Sequence, residues 1–258
     1  MDLALAGRNA LITGGSKGIG FASAWSLARE GANVHLAART GADLDKAKAT
    51  ILARFNVAVS THVADLSRGD VARALIDTCS DVDIVVNNAG AIPAGDVQVV
   101  DEIRWREAWD LKVFGYINTC RAALESMKAR GNGVIINVIG AAGERPSAGY
   151  IAGSGANAAI MAMTCALGAD SVRYGVRVVG INPGAIQTQR LVTLARDDAA
   201  RKLGDANRWR EVLDPDFPPG KPEHIGDMVA FLASDLSANT TGTIITIDGG
   251  SSHRSDVF

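Results

Sequence analysis

The sequence predicts a doubly wound α/β fold, with seven parallel strands in one sheet and helices on both of its faces. Three observations predict it. Short apolar runs alternate with longer helical patterns along nearly the whole chain. At 258 residues, 47% of them hydrophobic, the chain is long and apolar enough for one buried core. A glycine-rich turn, Thr13-Gly14-Gly15-Ser16-Lys17-Gly18-Ile19-Gly20, leads from the first apolar run into an amphipathic helical pattern.

Strands are expected at Asn9–Thr13, Asn33–Ala37, Val57–Val63, Ile84–Asn87, Gly133–Val138, Arg177–Asn182 and Thr243–Ile247. Solvated helices around Leu44–Arg54 and Arg68–Cys79 supply crossovers that parallel strands require. A helix from Gly153 to about Asp170 carries Gly155, Ala156, Ala158, Ala159, Ala162, Ala166 and Ala169, small enough for another helix to approach closely. The stretch Leu191–Lys221 breaks the rhythm: it is charged and closes on Asp214-Pro215-Asp216-Phe217-Pro218-Pro219-Gly220. It is expected to be a mobile binding lid, with an exposed helical pair as the plainer alternative. Without repeat or linker, residues 1–258 read as one domain.

Composition excludes several function classes. A net charge of −2 with scattered acids and bases leaves no basic stripe for nucleic acid. Cys79, Cys120 and Cys165 lie far apart among apolar neighbours and are expected as buried free thiols in a reducing compartment. His35, His62, His224 and His253 show no HxH or HExxH spacing, so no catalytic metal is expected. No charged leader and no apolar run of membrane-spanning length is read in the sequence, and the expected location is cytoplasmic, away from membranes.

The glycine-rich turn places backbone N–H groups and a helix N-terminus where phosphate would sit. Here the chain resembles the classical short-chain dehydrogenase/reductase family, whose TGxxxGxG fingerprint is matched by Thr13, Gly14, Gly18 and Gly20. Asp65-Leu66 resembles the family's adenine contact, Asn87-Asn88-Ala89-Gly90 its NNAG sequence, and Asp248-Gly249-Gly250 its C-terminal signature. Asn182-Pro183-Gly184, with Ile186 and Thr188 beyond, is similar to the segment holding the nicotinamide. The resemblance runs from residue 7 to 250. It implies a Rossmann-type NAD(P)-binding domain whose cofactor contacts are Gly14, Ser16, Lys17, Gly18, Ile19, Gly20, Arg39, Asp65, Leu66, Asn88, Ala89, Gly90, Asn157, Pro183, Gly184, Ile186 and Thr188. Ala38 stands where an acidic residue would bind the ribose hydroxyls of NAD, while Arg39 and Lys17 offer two cations to a 2′-phosphate. NADP is therefore the preferred cofactor and NAD the alternative.

The same resemblance marks a departure. Aligned with the family, Gly140 stands at its serine, Gly153 at its acid tyrosine, Asn157 at its lysine and Lys112 at its asparagine. Lys112, Asn157 and Tyr150 are left as catalytic candidates, with Gly140, Glu144, Tyr150 and Gly153 around the substrate. The two glycines predict a phenol-sized hole that a ligand or a rearranged side chain fills. Lys112 is expected on one helical stripe with Trp105, Trp109 and Tyr116, where partial burial lowers its pKa. The leading reading is an atypical oxidoreductase moving hydride to or from a small carbonyl, alcohol or activated enone. A non-redox lyase or isomerase and a silent NADP(H)-binding regulator are the alternatives. Relatives pair the Lys112 and Gly153 helices across a dimer axis, so a homodimer or homotetramer is expected.

Overall fold

The computed structural model describes residues 2–253. Its sheet has seven parallel strands: β1 (Asn9–Thr13), β2 (Asn33–Ala38), β3 (Val59–Val63), β4 (Ile84–Asn87), β5 (Gly133–Val138), β6 (Val176–Pro183) and β7 (Ile244–Ile247). Their spatial order, β3-β2-β1-β4-β5-β6-β7, reverses between β1 and β4, which opens a crevice at the strands' carboxyl ends. β3 begins two residues later than expected because the Asn33 side chain, not a ladder partner, accepts from the Ala58 N–H.

Alternation along each strand divides the core between two faces. Ala10, Ile12, Ile84, Val86, Val134 and Ile136 pack beneath α1 (Gly18–Arg29), α2 (Gly41–Leu52) and α8 (Pro222–Ala233). Leu11, Val85, Ile135 and Val178 pack beneath α3 (Gly69–Thr78) and α5 (Gly115–Arg130) on the other face. α6 (Ile151–Ser171) lies against β6. A buried polar chain crosses this second face: Thr119 donates to Asn87 (2.7 Å), Asn87 to Asn137 (2.9 Å), and Asn137 to Thr164 (2.9 Å). Every partner is satisfied, so the chain fixes α5, β4, β5 and α6 in one register instead of leaving costly buried dipoles.

Three expectations are corrected here. The helical run Ile151–Tyr174 is, by length and composition, long and apolar enough to cross a membrane, because glycine, alanine and methionine leave it uncharged until Asp170. Of its most apolar window, 44% is buried within the fold. Cys165 is exposed on α6, whereas Cys79 and Cys120 are buried. The helix leading to Lys112 is not one continuous stripe: α4 (Glu102–Trp109) passes through a π-helical turn, Asp110–Phe114, before α5 begins.

The expected lid, 191–221, is largely helical. It comprises most of α7 (Gln189–Leu203) and a short 3-10 segment, Ala206–Val212. Its base is closed by a parallel bridge between Ile186 and Gly220, with Gln187 N–H donating to the Gly220 carbonyl at 2.8 Å.

Candidate active site

The crevice at the β1–β4 switch is a cavity of about 770 Å³. Behind its wall lies Thr13, the buried last residue of β1, whose hydroxyl accepts from the Asn88 and Ala89 N–H groups at 2.9 and 3.1 Å. The Asn88 amide returns to the Thr13 and Gly14 carbonyls, so the loops after β1 and β4 form one unit. Gly14 turns through φ +64°, a conformation costly for other residues, and a Cβ there would meet Asn88 Nδ2 at 2.8 Å. A Cβ on Gly20 would come within 2.2 Å of the Gly14 carbonyl, so the start of α1 packs directly on the loop. The result is a side-chain-free cradle at a helix N-terminus, which fits a dinucleotide pyrophosphate.

Gly14, Lys17, Gly18, Ile19, Asn88, Ala89 and Gly90 wall the cavity on one side, and Pro183, Gly184, Ile186 and Thr188 on the other. Ser16, Gly20, Arg39, Asp65 and Leu66 stand outside its wall. Arg39 is exposed just past β2, and Asp65 accepts from the Ser67 N–H and hydroxyl after β3. Lys17 does not stand ready for phosphate: its ammonium pairs with Asp43 at 2.7 Å.

At another part of the cavity wall the π-helical turn brings Lys112 inward. Its side chain crosses Gly90, where a Cβ would lie 2.8 Å from the lysine Cδ. Its ammonium donates to the Val138 and Ile139 carbonyls at 3.1 and 3.0 Å and to the Tyr116 hydroxyl at 3.3 Å. Burial, with the charge of Arg190 added, lowers its pKa to about 7. Tyr116 donates to the Val138 carbonyl at 2.7 Å, and burial pushes its phenol up.

The space beside Gly153 is taken by the Tyr150 ring. A Cβ on Gly153 would fall 2.0 Å from Cε1 of Tyr150, so the Tyr150 ring lies where a side chain at 153 would begin. Tyr150 caps α6 and lines the cavity. Burial raises its pKa, and a hydrogen bond and charge from Arg190 act against that rise. Arg190, in the first turn of α7, also donates to the Ile92 carbonyl. Gly140, at φ +140°, keeps its space for the buried Asn157: a Cβ there would lie 2.8 Å from Asn157 Nδ2.

The structure thus brings Lys112, Tyr150, Asn157 and Gly140 to one cavity, with Gly153 beneath the Tyr150 ring. Glu144 is corrected: it stands outside the cavity wall and accepts from the Thr246 hydroxyl at 2.8 Å. Arg190 was not anticipated. Its only sequence signal is its place two residues after Thr188, immediately before the expected lid.

The family model described as short chain dehydrogenase matches residues 8–199. A 2-keto-3-deoxy-L-fuconate dehydrogenase from Xanthomonas campestris pv. campestris is 34% identical over 254 residues, covering 95% of this chain and 80% of that protein. The 3-oxoacyl-(acyl-carrier-protein) reductase of Chlamydia trachomatis serovar D is 31% identical over 252 residues, covering 95% of this chain and 98% of that one. Among solved structures, L-sorbose reductase from Gluconobacter frateurii, complexed with NADPH and L-sorbose, superposes with a TM-score of 0.88 at 28% identity, covering 96% of this chain and 98% of that chain.

Proposed function

This chain belongs to the short-chain dehydrogenase family, and from that premise we propose that it is an NADP(H)-preferring oxidoreductase for a small carbonyl or alcohol, working through a rearranged proton-donating site. The observation that carries the proposal is the Tyr150 ring filling the space above Gly153 beside Arg190. In this reading Gly140, Gly153, Asn157 and Lys112 occupy the family's serine, tyrosine, lysine and asparagine positions, and a phenol returns to the cavity from three residues upstream.

When bound, the nicotinamide supplies or accepts the hydride. The chain's own residues manage the proton. In reduction, the Tyr150 hydroxyl donates to the carbonyl oxygen as negative charge develops there; in oxidation it takes the alcohol proton. A positioned acid of this kind contributes about a hundred- to ten-thousandfold. Arg190 favours the resulting phenolate, and Lys112, with a pKa of about 7, exchanges a proton in the neutral range. Arg39 and Lys17 select the 2′-phosphate, which requires Lys17 to leave Asp43. The segment 191–221 closes over the substrate, and the small-residue face of α6 meets a second copy of the chain. The NADPH and L-sorbose held by the reductase described above support a nicotinamide and a small carbonyl compound here.

Fluorescence titration with NADPH and NADH, followed by oxidation of bound NADPH against a carbonyl panel, tests this reading. Tighter NADPH binding, loss of about ten- to a hundredfold of it in Arg39→Asp, and NADPH oxidation by at least one carbonyl are expected. Binding without oxidation across the panel would favour the lyase or regulatory reading. Absence of nucleotide binding would overturn all three.

A further inference from the structure

Away from the cavity, the fold gathers three metal-ligating side chains that share no motif spacing. His35 lies on β2, His62 on the edge strand β3, and Cys79 at the end of α3. Strand register puts both imidazoles on the face covered by α3: His35 is opposite Ser60, and His62 is opposite Ala37, two residues further along. Their ring nitrogens and the thiol sulfur converge. His35 Nδ1 and His62 Nε2 are 3.1 Å apart, and Cys79 Sγ stands 3.6 Å from the first and 3.5 Å from the second. None of the three residues lines the cavity.

The triangle has the dimensions of a metal's coordination shell. In a neutral imidazole each ring nitrogen is either a donor or an acceptor. One of the two facing nitrogens therefore donates to the other, and the Cys79 sulfur meets both as a weak donor or acceptor. A tetrahedral zinc ion would engage all three atoms at once. With Zn–N of about 2.05 Å and Zn–S of about 2.3 Å, tetrahedral angles require N···N of about 3.3 Å and N···S of about 3.6 Å. The observed edges match within about 0.3 Å.

We propose that His35 Nδ1, His62 Nε2 and Cys79 Sγ form a zinc-binding site that clips β2, β3 and α3 together at the edge of the sheet. Both imidazoles bind as neutral tautomers, with their protons on His35 Nε2 and His62 Nδ1. Cys79 binds as thiolate, so each zinc taken up releases one proton from the thiol. A water completes the tetrahedron. Asp81, two residues beyond Cys79, adds negative charge felt by both His35 and Cys79, while its carboxylate accepts from the Asn9 side-chain amide at 2.9 Å. Since the ligands come from three separate segments, the absence of HxH or CxxC spacing is no argument against the site.

The test is zinc binding to the full chain purified without a histidine tag, by equilibrium dialysis with metal analysis, and by cobalt substitution. One zinc per chain is expected, with cobalt showing the strong visible bands of a tetrahedral site and a sulfur-to-cobalt charge-transfer band. Cys79→Ser and His62→Gln should each weaken zinc binding by about a hundredfold or more, and Cys79→Ser should remove the charge-transfer band. Cys165→Ser, at the exposed thiol, should leave both unchanged. Zinc at about a hundred times its Kd should raise Tm by about 5–10 °C in the wild type and not in the two ligand variants. If Cys79→Ser does not fold, His62→Gln, at a partly exposed edge position, still decides the matter. No stoichiometric binding, or equal binding in wild type and His62→Gln, would overturn the proposal.

Discussion

Tyr150 and Lys112 approach the cavity from different elements, and each owes its position to a glycine. Without a side chain at 153 the Tyr150 ring can lie over α6, and without one at 90 the Lys112 chain can cross the β4 loop. Gly153→Ala should therefore fold, gaining helix propensity of about 1 kcal/mol, while its Cβ, 2.0 Å from the present Cε1, drives the ring out. Turnover should fall about a hundred- to ten-thousandfold with NADPH affinity unchanged, as steady-state kinetics and titration would show. Lys112 carries a second prediction. Its folded pKa of about 7 lies below the ordinary 10.5, so between these values the unfolded chain binds a proton that the folded chain has shed. Stability should then rise with pH from about 7, by at most about 1.4 kcal/mol per unit. Cys79 and Cys120 act in the opposite sense above about pH 9, because burial pushes their thiols up to about 11 and about 12 while the unfolded thiols ionise. Urea denaturation between pH 6.5 and 9 should show the rise in wild type and a flattened profile in Lys112→Met.

Among the elements, α7 is where site and fold meet, since its first turn supplies Arg190 to Tyr150 and its remainder forms much of the segment 191–221. NADPH binding should slow amide hydrogen exchange across 189–213, and exchange unchanged on saturation would show that the segment is not a lid. The strands were legible because two-sided burial writes them as apolar runs: β1 and β4 have the expected bounds, and β2 differs by one residue. The phosphate loop was legible because only glycine fits its close approaches. The π-helical turn was not, since Asp110–Phe114 reads as ordinary helix and the extra residue per turn is imposed by tertiary packing. Arg190 and the His35–His62–Cys79 triangle were hidden for another reason, as each depends on contacts between segments distant in sequence.

For the molecule as a whole, α6 has two unlike sides. Ala152, Ala156 and Ile160 are buried, while Gly155, Ala158, Ala159, Ala162, Ala166 and Ala169 are exposed in the single chain. A flat outer side of small residues favours close helix pairing with a second copy. Light scattering should report an oligomer for wild type and a smaller species for Ala162→Arg, whose long charged side chain blocks that approach; a wild-type monomer would contradict the reading. In the proposed function, Tyr150 supplies the proton at the cavity. The direct measurement is single-turnover oxidation of bound NADPH by an accepted carbonyl, comparing wild type with Tyr150→Phe and Arg190→Met at matched nucleotide occupancy. The account predicts a rate lower by about a hundred- to ten-thousandfold in Tyr150→Phe, and a wild-type pH profile shifted upward in Arg190→Met. A Tyr150→Phe enzyme that turns over at the wild-type rate would contradict it.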